Sequence, residues 1–224
     1  MWGWASGYHP SMKTSLLRIL ATAAVIACGT ATPVWSDTDD PNEAPPLEGV
    51  DNMYPTVNAN WTCVDGSMSI GVFCRTDDYY VSTHNQDNVR SSTATAINLT
   101  WTNNYAATDL QRSVHYTQYT STDIVYQDGV TPGNGDVIGI TWCRDATSTR
   151  VCGQHYVRFS NDYTINQYVT CHETGHAVGL THGQEAYPKV SNSSSLLGCM
   201  RTPYYPGTPA LLGPMNIANI NSAY

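Results

Sequence analysis

Within one short stretch the chain carries His172, Glu173, His176 and His182 in the pattern His-Glu-x-x-His-x-x-Gly-x-x-His, with Gly179 as the glycine. On a helix, residues four apart share a face, so His172 and His176 can present two imidazoles to one metal ion. Glu173 is turned about 100° from His172 around such a helix, which aims it at an attacking water rather than at the metal. Gly179 can take the left-handed backbone that ends a helix, letting the chain swing back to deliver His182 as third ligand. Three neutral imidazoles leave the fourth position of a tetrahedral zinc ion open, as hydrolytic centres do. Zinc there lowers the pKa of water to about 7 and polarises a carbonyl. Glu173 is then the general base, taking the proton from water and passing it to the leaving amine.

This chemistry needs a helix under the motif and a sheet beside it. Residues 165–180 read as that helix, stopped around Gly179. Upstream, 79–83 and 123–127 are β-prone, 113–119 alternates as a half-buried strand does, and 137–142 and 155–159 add two more strands. The stretch 89–105 sets Ala94, Ile97 and Trp101 at helical spacing. Strand, helix, four strands, helix predicts an α+β domain with a mixed, twisted five-stranded sheet and two main helices. The region after Gly183 is rich in Ser, Pro and Gly and reads as an irregular C-terminal subdomain, with a short final helix over 216–223.

The first 36 residues read as a signal region. Lys13 and Arg18 precede an apolar run over 19–28 that is too short to span a bilayer, and Met12 is an alternative start. Cleavage after Ser36 fits; the rival is a lipobox-like run ending at Cys28, which would anchor the chain through a lipid. Residues 37–51 are acidic and proline-rich, a linker or short propeptide, and 52–224 form the catalytic domain. Loss of Lys13 and Arg18 moves the net charge from −8 to −10. An acidic chain with no Lys/Arg cluster excludes nucleic acid as a partner, and no other run suits a transmembrane span. The expected location is therefore extracellular, and the chain is read as a monomer.

Beyond Cys28 there are six cysteines, Cys63, Cys74, Cys143, Cys152, Cys171 and Cys199, in sequence-near pairs. In an exported chain they read as disulfides 63–74, 143–152 and 171–199, although six cysteines permit fifteen connectivities. No Cys-x-x-Cys spacing supports a zinc knuckle.

The motif over residues 172–182 resembles the metzincin signature of secreted zinc peptidases. The resemblance implies a methionine in a turn below the metal, for which Met200 is the candidate. It also implies a peptide or protein substrate lying antiparallel to an edge strand just before the last one, here 137–142. Snapalysin-like and matrixin-like bacterial enzymes look most similar, but snapalysins have Asp where this chain has His182. Thr202 stands where astacins and serralysins place a ligating Tyr; Tyr204 and Tyr205 lie slightly further on. No cysteine between the signal and Cys63 offers a matrixin-type switch. A Cys171–Cys199 bond would tie the metal-binding helix to the loop of Met200, contributing roughly 3–4 kcal/mol. The carboxylates and carbonyls of loop 128–136 could hold Ca2+, though its Gly pairs serve equally as turns. The leading expectation is a zinc endopeptidase; the alternatives are a zinc hydrolase of cell-wall peptides and a metal-binding module without turnover.

Overall fold

The computed structural model describes residues 49–53, 63–66, 74–132, 137–204, 207 and 210–224. Contacts divide the chain into Met1–Ala44 and Pro45–Tyr224, and everything described lies in the second unit. The signal region, Cys28 and nearly all of the acidic linker lie outside the described residues.

Ten elements follow in order: β1 (Tyr80–Asn85), α1 (Ser91–Asn103), a 3-10 turn (Tyr105–Ala107), β2 (Gln111–His115), β3 (Ile124–Gly129), β4 (Gly139–Ala146), β5 (Cys152–Ser160), α2 (Gln167–Ala177), a second 3-10 segment (Ser195–Met200) and α3 (Pro214–Ala223). The strands form one mixed sheet in the order β2-β1-β3-β5-β4, so the expected α+β class holds. All neighbours are parallel except β4, which runs antiparallel to β5 at the sheet edge. The edge position expected for 137–142 therefore falls on β4.

Burial explains the strand order. β3 is central, and five of its six residues are buried, as a strand flanked on both sides requires. β2 departs from the half-buried alternation expected over 113–119. It spans only Gln111–His115 at the sheet edge, and Val114 and Tyr116 are exposed, with no layer of the described residues covering them.

The two main helices pack through hydroxyls as well as apolar groups. Ile97 and Trp101 of α1 are buried, but so are Thr93 and Thr100. Thr100 and Thr170 share a hydrogen bond of 2.6 Å between α1 and α2, and the Trp101 indole donates to the Tyr126 hydroxyl at 3.0 Å. Tyr126 in turn bonds Thr174 at 3.0 Å, joining α1, β3 and α2. Each buried hydroxyl thereby keeps a partner, which burial demands. These pairings account for threonines on a face that periodicity alone would make apolar.

Val50 is buried in this core, and Asp51 and Met53 bridge antiparallel to Tyr187 and Leu180. The expected disulfides Cys63–Cys74, Cys143–Cys152 and Cys171–Cys199 are all present. No helix among the described residues is long and apolar enough to cross a membrane. Three disulfides fit an oxidising compartment.

Candidate metal centre

Helix α2 begins at an N-cap: the Asn166 side chain accepts from Val169 N, leaving the next turns free to carry the motif. It ends as a paired left-handed cap. Gly179 has φ +97°, its N–H bonds the His176 carbonyl at 3.1 Å, and the N–H of Leu180 bonds the Gly175 carbonyl at 2.8 Å. Those two bonds form a Schellman motif, and only glycine takes that φ without strain. The chain then reverses, and His182 returns over α2.

The three imidazoles converge. His172 and His176 have Nε2 atoms 3.1 Å apart, and those of His182 and His172 are 3.2 Å apart. His172 Nδ1 faces the Cys199 carbonyl at 2.8 Å, and His176 Nδ1 faces the Leu180 carbonyl at 2.8 Å. A carbonyl can only accept, so each Nδ1 carries the proton and each Nε2 presents a lone pair. The close Nε2 pair is therefore two facing lone pairs, which a cation relieves. Tetrahedral zinc at its usual Zn–N length separates neighbouring nitrogens by about 3.3–3.4 Å, close to what is seen. Burial pushes the His172 pKa down to about 3 and that of His182 to about 4, with His182 itself adding to the effect on His172. Burial first, then its two histidine neighbours, also holds His176 well below its usual range. All three rings stay neutral at ordinary pH, the form that ligates. The trio can hold a metal ion.

Glu173 leaves the helix on another side, toward β4. Its carboxylate is buried, and the Thr141 hydroxyl reaches Oε2 at 2.9 Å and the Glu173 carbonyl at 2.8 Å. Burial raises its pKa to about 7, against the lowering influence of the Thr141 bond. A cation held by the neighbouring imidazoles favours the carboxylate and opposes that rise.

Met200 is fully buried and lies against α2 at Gly175, where an added Cβ would come within 2.3 Å of its sulfur. The helix can rest on Met200 because that position has no side chain. The adjoining Cys199 is bonded to Cys171, so the methionine loop is both covalently tied to α2 and the source of the carbonyl on His172.

A cleft of about 420 Å³ opens between these parts. Residues 137–141 of the β4 edge form one wall, and Tyr168, Val169 and residues 201–204 form the other, with the histidines and Glu173 between. Tyr204 lines this wall, but its hydroxyl accepts from Asn166 at 3.0 Å and its ring sits 4.7 Å from that of Tyr168. It is thus engaged at the start of α2; Tyr205 lies outside the described residues. In the loop considered for Ca2+, Asp128 turns one carboxylate oxygen to Arg90 at 2.7 Å and to Thr93, and 133–136 lie outside the described residues. Sequence reasoning missed Thr141 and Gly139, which touch Glu173 from β4. Neither belongs to the motif, and only the packing of α2 against β4 brings them to it.

No protein-family model matches the chain, and no curated protein matches it.

Proposed function

We propose that the chain is a secreted zinc-dependent endopeptidase of metzincin type. The observation that carries this reading is the meeting of three histidine Nε2 atoms beside a buried carboxylate, inside a cleft bounded by an antiparallel edge strand. Neutral imidazole donors in a compact trio suit zinc. When bound, zinc supplies Lewis acidity toward a water and toward the scissile carbonyl.

The chain's own groups account for the remaining work. An extended peptide laid along the 139–141 end of β4, which lines the cleft, would be held by β-augmentation, with alternate side chains entering the cleft. Glu173, kept near the β4 backbone by Thr141, accepts the proton of the attacking water at its carboxylate and then donates it to the departing amine nitrogen. The place of Glu173 between the histidines and β4 lets the same carboxylate serve both halves of that transfer. Tyr168 and residues 201–204 close the side opposite β4 and limit what a substrate side chain can occupy.

Metal analysis and hydrolysis test the reading together. The purified protein should hold close to one zinc per chain and cleave casein, with both lost on chelation and restored by zinc. Casein left intact beside digested peptidoglycan would point to a cell-wall enzyme; a zinc-loaded protein inert on both would leave only a metal-binding module.

A further inference from the structure

We infer that Asn52 is a positioning residue for the third metal ligand, clamping the backbone from which His182 projects. The inference rests on the reading of the three histidines as a metal centre and deepens it.

His172 and His176 are carried by a regular helix, and their rings are further fixed by carbonyls. His182 comes from the loop beyond α2, and its Nδ1 faces the Glu185 carboxylate at 3.9 Å, longer than a hydrogen bond. The loop backbone immediately before it is gripped at Thr181. The Thr181 N–H donates to the Asn52 carbonyl at 2.7 Å, and the Asn52 side-chain amide donates to the Thr181 carbonyl at 2.8 Å. The Thr181 hydroxyl adds a bond of 2.9 Å to the Asn52 carbonyl. One residue therefore satisfies both backbone groups of the residue preceding the ligand.

Asn52 is held in turn from α3. Its Oδ1 accepts from Asn216 at 3.1 Å and from Asn219 at 2.9 Å, and Asn219 also bonds the Val50 carbonyl at 3.0 Å. Asn52 has no exposure, and its bonds to Thr181 and Asn216 are buried, while those made by Asn219 are partly so. The arrangement requires an amide: Oδ1 must accept twice while Nδ2 donates to a carbonyl. Aspartate has the same shape but would set a carboxylate oxygen against the Thr181 carbonyl. The bridges of Asp51 to Tyr187 and Met53 to Leu180 bracket the same loop. A maturation cut upstream of residue 50 preserves this clamp, whereas one after residue 53 removes it.

Zinc affinity of the full chain, measured by competition with a chromophoric chelator, tests the assignment. Asn52→Asp should weaken zinc binding by about ten- to a hundredfold, as loss of support behind a ligand commonly does, while near-UV circular dichroism stays native. The visible spectrum of the cobalt-substituted variant should also change as one nitrogen donor shifts. A variant that melts earlier yet keeps wild-type zinc affinity and cobalt spectrum overturns the proposal, since a merely structural role predicts that pattern. If Asn52→Asp does not fold, Asn219→Ala decides: weakened zinc binding supports the clamp and unchanged binding overturns it. Wild-type protein that takes up no zinc overturns the underlying metal reading and this inference with it, a result separate from either variant's.

Discussion

Gly139 on β4 leaves the space that the Glu173 side chain fills: a Cβ at 139 would stand 2.6 Å from Glu173 Cγ and 2.8 Å from Oε1. Because Thr141 holds the other carboxylate oxygen, the side chain cannot simply turn aside. Gly139→Ala should therefore push the carboxylate off its position while leaving the histidines alone. Casein hydrolysis is expected to fall at least about tenfold, in line with the sensitivity of general-base geometry, with zinc content unchanged. An alanine variant of normal turnover would show that Glu173 does not need this placement.

Glu173→Gln separates proton transfer from metal binding. Glutamine keeps the size and the acceptor for Thr141 but cannot take the proton of water. Turnover should drop by about 100- to 10,000-fold, with zinc retained and thermal stability close to wild type. Loss of zinc in this variant would instead make Glu173 part of the metal's support.

The difference between what was legible in the sequence and what was not lies in the range of the interactions. His172, Glu173, His176 and Gly179 are placed by one helix and its cap, so spacing alone predicts their geometry, and the cap turns the chain back toward His182. The cysteine pairing was legible for a similar reason, since partners are 9 to 28 residues apart. Thr141 and Gly139 reach Glu173 across 32 and 34 positions where α2 packs against β4, and Asn52 reaches Thr181 across 129. No local period encodes such contacts. The β2 region was misjudged because alternation marks a strand but does not say whether a layer covers it. The helices were legible in place but not in packing, because Thr100 and Thr170 use hydroxyl pairs where apolar periodicity is expected.

The Cys171–Cys199 bond joins α2 to the loop that carries Met200 and the carbonyl on His172. Replacing both cysteines with alanine should lower stability by about 3–4 kcal/mol, the loop-closure value for a separation of 28 residues. Urea unfolding of the paired variants measures that loss. Zinc binding should weaken as well, because the carbonyl that orients His172 is freed to move. Unchanged stability would mean that the surrounding packing already fixes this loop without the bond.

His155 contributes to the pH dependence of folding. It is fully enclosed; Nε2 faces the Cys74 carbonyl at 3.0 Å, so that nitrogen carries the proton, and Nδ1 is buried with no hydrogen-bond partner. Burial lowers its pKa from 6.5 to about 4, with the Cys74 carbonyl and then the Asp123 backbone opposing the shift. A second proton would have to sit on Nδ1, buried away from water. The folded state thus binds fewer protons than the unfolded chain between those two values, and stability must rise with pH across that window. The contribution is fully present above about pH 6.5 and is lost as pH falls toward 4, amounting to about 3 kcal/mol. The three clustered histidines titrate in the same direction, so the test compares wild type with His155→Gln, in which their effect is common to both. Urea midpoints taken from pH 7 to pH 4 should fall more steeply for wild type than for the variant. Parallel curves would place the acid sensitivity in the metal centre alone and remove His155 from the account.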